Sequence, residues 1–170
     1  LLNQMYCEFI FILVDYFLSI NKRISIYEWG MPIVLSVVIG WSAIHSDEIN
    51  LPYEVIKELI VFLSTLLGFT LAALTLFLTG RVEKTKKYIT SKMIRGKNIS
   101  LYRLTIISYS YIIIVETFLC LGFYTSKALG IVVNPYVALF VNCCFIALTF
   151  NVLLATIRTI TDLYLIITKE

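Results

Sequence analysis

The segment Leu59–Thr79, LIVFLSTLLGFTLAALTLFLT, runs for 21 residues without a charge. As an α-helix it reaches about 31 Å, the thickness of a bilayer's hydrocarbon core. Directly after it comes Gly80–Arg103, GRVEKTKKYITSKMIRGKNISLYR. There eight basic residues (Arg81, Lys84, Lys86, Lys87, Lys92, Arg95, Lys97, Arg103) face one acid, Glu83. A second long apolar run follows. A positive block between two membrane-length segments marks the cytoplasmic side, because Lys and Arg in short loops are retained there.

Composition agrees. Of the 170 residues 59% are hydrophobic and 15% charged, with a mean hydropathy of +0.89, whereas soluble chains carry roughly a quarter charged residues. The net charge of +3 is the sum of +7 in the basic stretch and −4 elsewhere. One domain is expected, of the all-α class: an integral membrane protein with a four-transmembrane-helix bundle and an N-terminal amphipathic helix. The chain opens on Leu1, so its natural start is expected upstream, and residues 1–20 carry neither a basic leader nor a small-residue cleavage site.

Taken in order, residues 1–20 are apolar except for Gln4, Glu8, Asp15 and Ser19, whose spacings of 4, 7 and 4 put them on one helical face. Two carboxylates make a lipid-surrounded span costly, so an interfacial helix, or one packed under the bundle, is expected, with a fifth transmembrane span as the alternative. The first span is read over 27–44, with Pro32 in its first turn and Trp29 and Trp41 as interface anchors. An acidic connection over 45–58 suits the non-cytoplasmic side. Spans two, three and four follow at 59–79, 104–124 and 136–157, with 80–103 as a basic cytoplasmic connector. The helix of span four is expected to continue over 158–170, where Arg158 and Asp162 are spaced to pair. Both termini then face the cytoplasm of a bacterial inner membrane.

Glu116 is the charge nearest the middle of a span. Its depth matches Leu67-Gly68 in span two and Asn142 to Cys144 in span four, which makes Asn142 its expected hydrogen-bond partner. Two roles stand open: a protonatable or cation-attracting group at a pore or subunit interface, and a neutral carboxyl that ties helices together. Asn142 and Asn151 are nine residues apart, on opposite faces of one helix, so they address different neighbours.

Ser64, Gly68, Ala72, Thr75 and Thr79 form a small-residue stripe on span two, the kind that lets helix backbones approach closely. Packing within the chain is the first expectation for it, a seam between copies the second. In the connector, Val82, Ile89 and Met93 suggest one apolar face of a cationic amphipathic helix. Arg81, Lys84, Lys86, Lys87, Lys92 and Arg95 are then candidates for contacting anionic lipid or a cytoplasmic protein partner. Nucleic acid is disfavoured, because no aromatic ladder or reading motif accompanies the charge.

The four cysteines, Cys7, Cys120, Cys143 and Cys144, sit in apolar runs and read as free thiols. His45 has no second ligand nearby in sequence, and no phosphate loop, nucleophile elbow or zinc signature is present. No enzyme activity, cofactor or metal is expected.

The stretches IYEWGMPIVLSVVIGW and LLGFTLAALTLFLT, with the short N-terminal helix and four apolar segments, resemble small membrane proteins of bacterial anti-phage immunity, of the CRISPR-associated and abortive-infection kinds. That resemblance implies an oligomeric effector that opens or depolarises the inner membrane. It carries over no catalytic or ligand residue. The competing reading is a membrane anchor or regulatory subunit that docks a partner through its basic loop.

Overall fold

The computed structural model describes residues 2–45, 53–79, 89–94, 96–129 and 135–168. The chain is a helical integral membrane protein. After α1 (Leu2–Ser19) come a short helix α2 (Lys22–Ser25), a π-helical stretch (Ile26–Gly30) and α3 (Met31–His45), which together form one rod. Then follow α4 (Tyr53–Thr79), a hairpin of β1 (Ile89–Ile94) and β2 (Lys97–Ser100), α5 (Leu101–Leu129) and α6 (Pro135–Thr168). Among the described residues, four stretches are long and apolar enough to cross a membrane: Lys22–Ser42, Glu58–Thr79, Leu101–Thr125 and Tyr136–Tyr164. In hydrocarbon each backbone amide must be satisfied within its own segment, which is why these runs are helices.

The four long helices form a row. α4 packs on α5, α5 on α6, and α6 on α3, so α4 and α3 lie at the edges. Half of the α5 span is buried, against 17% of the α4 span. Local chemistry sets the ends. Ser100 Oγ accepts from the Arg103 amide at 3.3 Å and so caps α5. Pro135 opens α6, where a missing N–H costs nothing. As expected, α6 runs on beyond residue 157.

Over residues 10–19, helix α1 is built inside out relative to a soluble amphipathic helix. Asp15, Tyr16 and Ser19 are buried against the bundle, while Ile10, Phe11, Val14, Phe17 and Leu18 are exposed. The polar line expected from the sequence therefore faces protein at Asp15 and Ser19. An outward apolar face suits hydrocarbon, where burying more apolar surface against protein brings no gain.

The connector departs from the helix expected there. Ile94 pairs with Lys97 and Ile89 with Ser100, in antiparallel register. Gly96, at φ 76°, supplies the left-handed residue that so tight a connection needs. Ile94 and Ile99 are buried in the core, and β1 packs on α1. The hairpin thus closes the end of the bundle at which α1 lies. Val82 lies outside the described residues, and Ile89 and Met93 fall within a strand, where a spacing of four no longer defines a helical face.

Candidate functional site

Among the described residues, two buried polar sites link different helices of this apolar bundle. The first begins with Pro32. Proline has no N–H, so the carbonyl four residues back, that of Glu28, lacks its α-helical donor, and the ring crowds the same turn. The helix answers with the π-helical stretch Ile26–Gly30, and Asn151 Nδ2 donates to the Glu28 carbonyl at 2.7 Å. The other half of the Asn151 amide, Oδ1, accepts from the Tyr111 hydroxyl at 2.7 Å. Asn151 is fully buried and joins α5, α6 and the π-helical stretch.

The Glu28 side chain turns inward from the same stretch. Tyr16 donates its hydroxyl to Glu28 Oε2 at 2.9 Å, and Arg158 Nε lies 3.0 Å from Glu28 Oε1. Arg158 also donates to the Tyr16 hydroxyl at 3.3 Å, with its guanidinium 5.5 Å from the centre of the Tyr16 ring. The Tyr16 ring stacks on Tyr111, centroids 3.5 Å apart and planes 5° from parallel. Burial, with Glu28 close by, holds the Tyr16 phenol above the ordinary tyrosine range, so it stays a donor. The Arg158–Asp162 pairing expected from spacing is replaced: Arg158 turns into the bundle toward Glu28, and Asp162 is exposed. A buried charge without a partner is far costlier than a solvated pair is favourable.

The second site is Glu116, which is fully buried. Its Oε2 lies 2.7 Å from Thr70 Oγ1 of α4, and its Oε1 has no hydrogen-bond partner among the described residues. Asn142 was its expected partner. It is half-buried on α6 and does not reach Glu116, because the neighbour on that side of α5 is α4.

The small-residue stripe also departs from its first expectation. Ser64, Gly68, Ala72, Thr75 and Thr79 are all exposed, on a face of α4 that the described residues leave uncovered. A Cβ added at Gly68 would meet nothing within 4 Å. Ser64 Oγ, 3.9 Å from Cys120 Sγ, marks the border with α5. The close approaches lie elsewhere: a Cβ at Gly40 would meet Cys143 Sγ at 2.7 Å, and one at Gly122 the Phe145 ring at 2.8 Å. An apolar groove of about 530 Å³ between α3 and α6, lined by Ser36, Trp41, Tyr136 and Phe140 among others, suits hydrocarbon and no polar ligand.

Of the basic candidates, Lys92 falls in β1, and Arg81, Lys84, Lys86, Lys87 and Arg95 lie outside the described residues. So does half of the acidic connection at 45–58, residues 46–52. Tyr16, Glu28, Thr70, Tyr111 and Arg158 are the polar residues that sequence reasoning left unassigned or misassigned. One signal for them was present, a proline four residues after a glutamate in an apolar segment.

No family model matches the chain, and no match was found among curated proteins or solved structures.

Proposed function

We propose that this protein is a subunit of a homo-oligomer in a bacterial inner membrane, multi-pass with both termini cytoplasmic, and that the assembly perturbs or permeates that membrane. The observation that carries this reading is the uncovered face of α4, small from Ser64 to Thr79 and open at Gly68. Between lipid-embedded helices, close backbone packing takes the place of the hydrophobic effect as the driving force. Among the described residues α4 packs extensively on α5 and on no other long helix to a like extent, so a second copy finds its seam there. Glu116 lies behind that helix, 2.7 Å from Thr70 of α4. A role in arresting an infected cell rests on the sequence resemblance alone.

Two measurements on the reconstituted chain test the reading. In a bilayer mimic it forms a defined oligomer, and Gly68→Ile reduces it to monomer with its helical content intact. Liposomes carrying the wild type leak ions, and those carrying Gly68→Ile stay tight. A monomeric wild type in tight liposomes refutes the proposal.

The alternative, an anchor or regulator, draws on a different observation: Ile94 and Ile99 root the hairpin in the core, so the basic connector is attached to a built surface. Reversing the charges of Lys84, Lys86 and Lys87 abolishes function without altering topology if that reading holds. Neither reading invokes catalysis.

A further inference from the structure

The hydrogen bonds around Glu116 determine its chemical state. Thr70 Oγ1 lies 2.7 Å from Glu116 Oε2 and 3.0 Å from the Leu67 carbonyl oxygen. A hydroxyl carries one proton and cannot donate to both. Were Thr70 to donate to Glu116, the carboxylate would hold a full charge in the apolar span with one hydroxyl for company and a bare second oxygen. The basic side chains that form ion pairs among the described residues, Arg103 and Arg158, engage Asp15 and Glu28 instead. An isolated buried carboxylate is the costliest of the available arrangements.

The other assignment leaves no charge. The protonated Glu116 carboxyl donates its O–H to Thr70 Oγ1, and Thr70 donates its own O–H to the Leu67 carbonyl oxygen, the usual threonine contact within a helix. The one atom then left unpartnered is a neutral carbonyl oxygen, Glu116 Oε1.

We infer that Glu116 is a proton-carrying site, a neutral carboxylic acid whose hydroxyl starts a two-step hydrogen-bond relay through Thr70 to Leu67 and so ties α5 to α4. The site takes a defined class of reagent, the apolar carbodiimides, which partition into hydrocarbon and require a protonated carboxyl. The acid proton goes to a carbodiimide nitrogen while the carboxyl oxygen bonds to the central carbon, with loss of one C=N π bond. Acyl transfer from oxygen to nitrogen then gives a stable N-acylurea, with no leaving group. Glu28, paired with Arg158, has no acid proton to give and does not react this way.

Infrared spectroscopy decides the matter. The full chain, carboxyl-13C-labelled at glutamate, is reconstituted in lipid at neutral pH. The expected spectrum contains a protonated-acid C=O band that Glu116→Gln removes and that Thr70→Val shifts, because the acid loses its acceptor. A labelled spectrum showing carboxylate bands alone overturns the inference. So does an acid band indifferent to Thr70→Val, which needs no Glu116 variant to fold. Treatment with dicyclohexylcarbodiimide followed by peptide mapping is the second arm: adduct at Glu116 supports the proton site, and adduct at Glu28 in its place overturns it.

Discussion

Asn151 Nδ2 donates to the backbone carbonyl of Glu28, 2.7 Å away and 123 positions apart in the chain, and Glu28 stands four residues before Pro32. The proline removes a donor and the asparagine supplies one from another helix. Asn151→Leu should therefore cost about 1–2 kcal/mol, two intramembrane hydrogen bonds at the modest value each carries. In a Pro32→Ala background the position-32 amide returns and the same substitution should cost less. Denaturant titration in detergent, run as a double-mutant cycle, reads the coupling. Strict additivity would refute the compensation.

Arg158→Ala should destabilise the fold by about 3–5 kcal/mol, because it strands the Glu28 carboxylate in the bundle. Removing both charges, as Arg158→Met with Glu28→Leu, should recover most of that loss. Thermal unfolding of the wild type and the two variants checks the order. A double variant no better than the single one would show that the pair does more than neutralise charge.

Docking of α1 should fail in alkali. The Tyr16 phenol is held above its ordinary value of 10.0, chiefly by burial, so the folded state binds its proton more tightly than the unfolded state does. The associated stability is complete below about pH 10 and declines as pH rises through the folded value. Tyr16→Phe removes this dependence at the cost of the bond to Glu28. Hydrogen exchange of α1 from neutral to alkaline pH measures it: opening should steepen with pH in the wild type and stay flatter in Tyr16→Phe.

Three glycines should separate by role. Gly40→Ala presses on Cys143 and should cost about 1–3 kcal/mol unless the thiol rotates away, while Gly68→Ala should leave stability nearly unchanged. Gly122→Ala meets the edge of the Phe145 ring and should behave like Gly40→Ala, with loss of the Phe123–Phe145 stacking at 4.5 Å. Unfolding midpoints and near-ultraviolet spectra report both effects.

The spans were legible because membrane thickness leaves few ways to place a charge-free run such as Leu59–Thr79. Helix ends were less so: α4 starts at Tyr53, where apolar content has already fallen off. Glu116 could be singled out as a lone mid-span acid, but depth ranks residues only by height. Which helix stands beside it is set by the order of the row, and this put Thr70 rather than Asn142 at the carboxyl. The cluster of Tyr16, Glu28, Tyr111, Asn151 and Arg158 was illegible for a related reason. Its members come from four segments, each ordinary alone, and Glu28 turns inward only through the π-helical stretch. In the connector, the spacing of Val82, Ile89 and Met93 fits a helix. The decisive signal was Gly96 between two short runs with buried isoleucines, Ile94 and Ile99.

The inverted polarity of α1 bears on how the protein is made. Tyr16 and Arg158 are 142 positions apart, and Tyr111 is also far downstream, so α1 leaves the ribosome well before the groups that hold it exist. On the nascent chain its apolar face meets lipid and its polar line meets water, an arrangement stable at the membrane surface. Only after α6 is synthesised and inserted does that polar line have somewhere to turn. Docking of α1 into the bundle should therefore wait for α6, and a chain truncated after α5 should leave α1 at the surface.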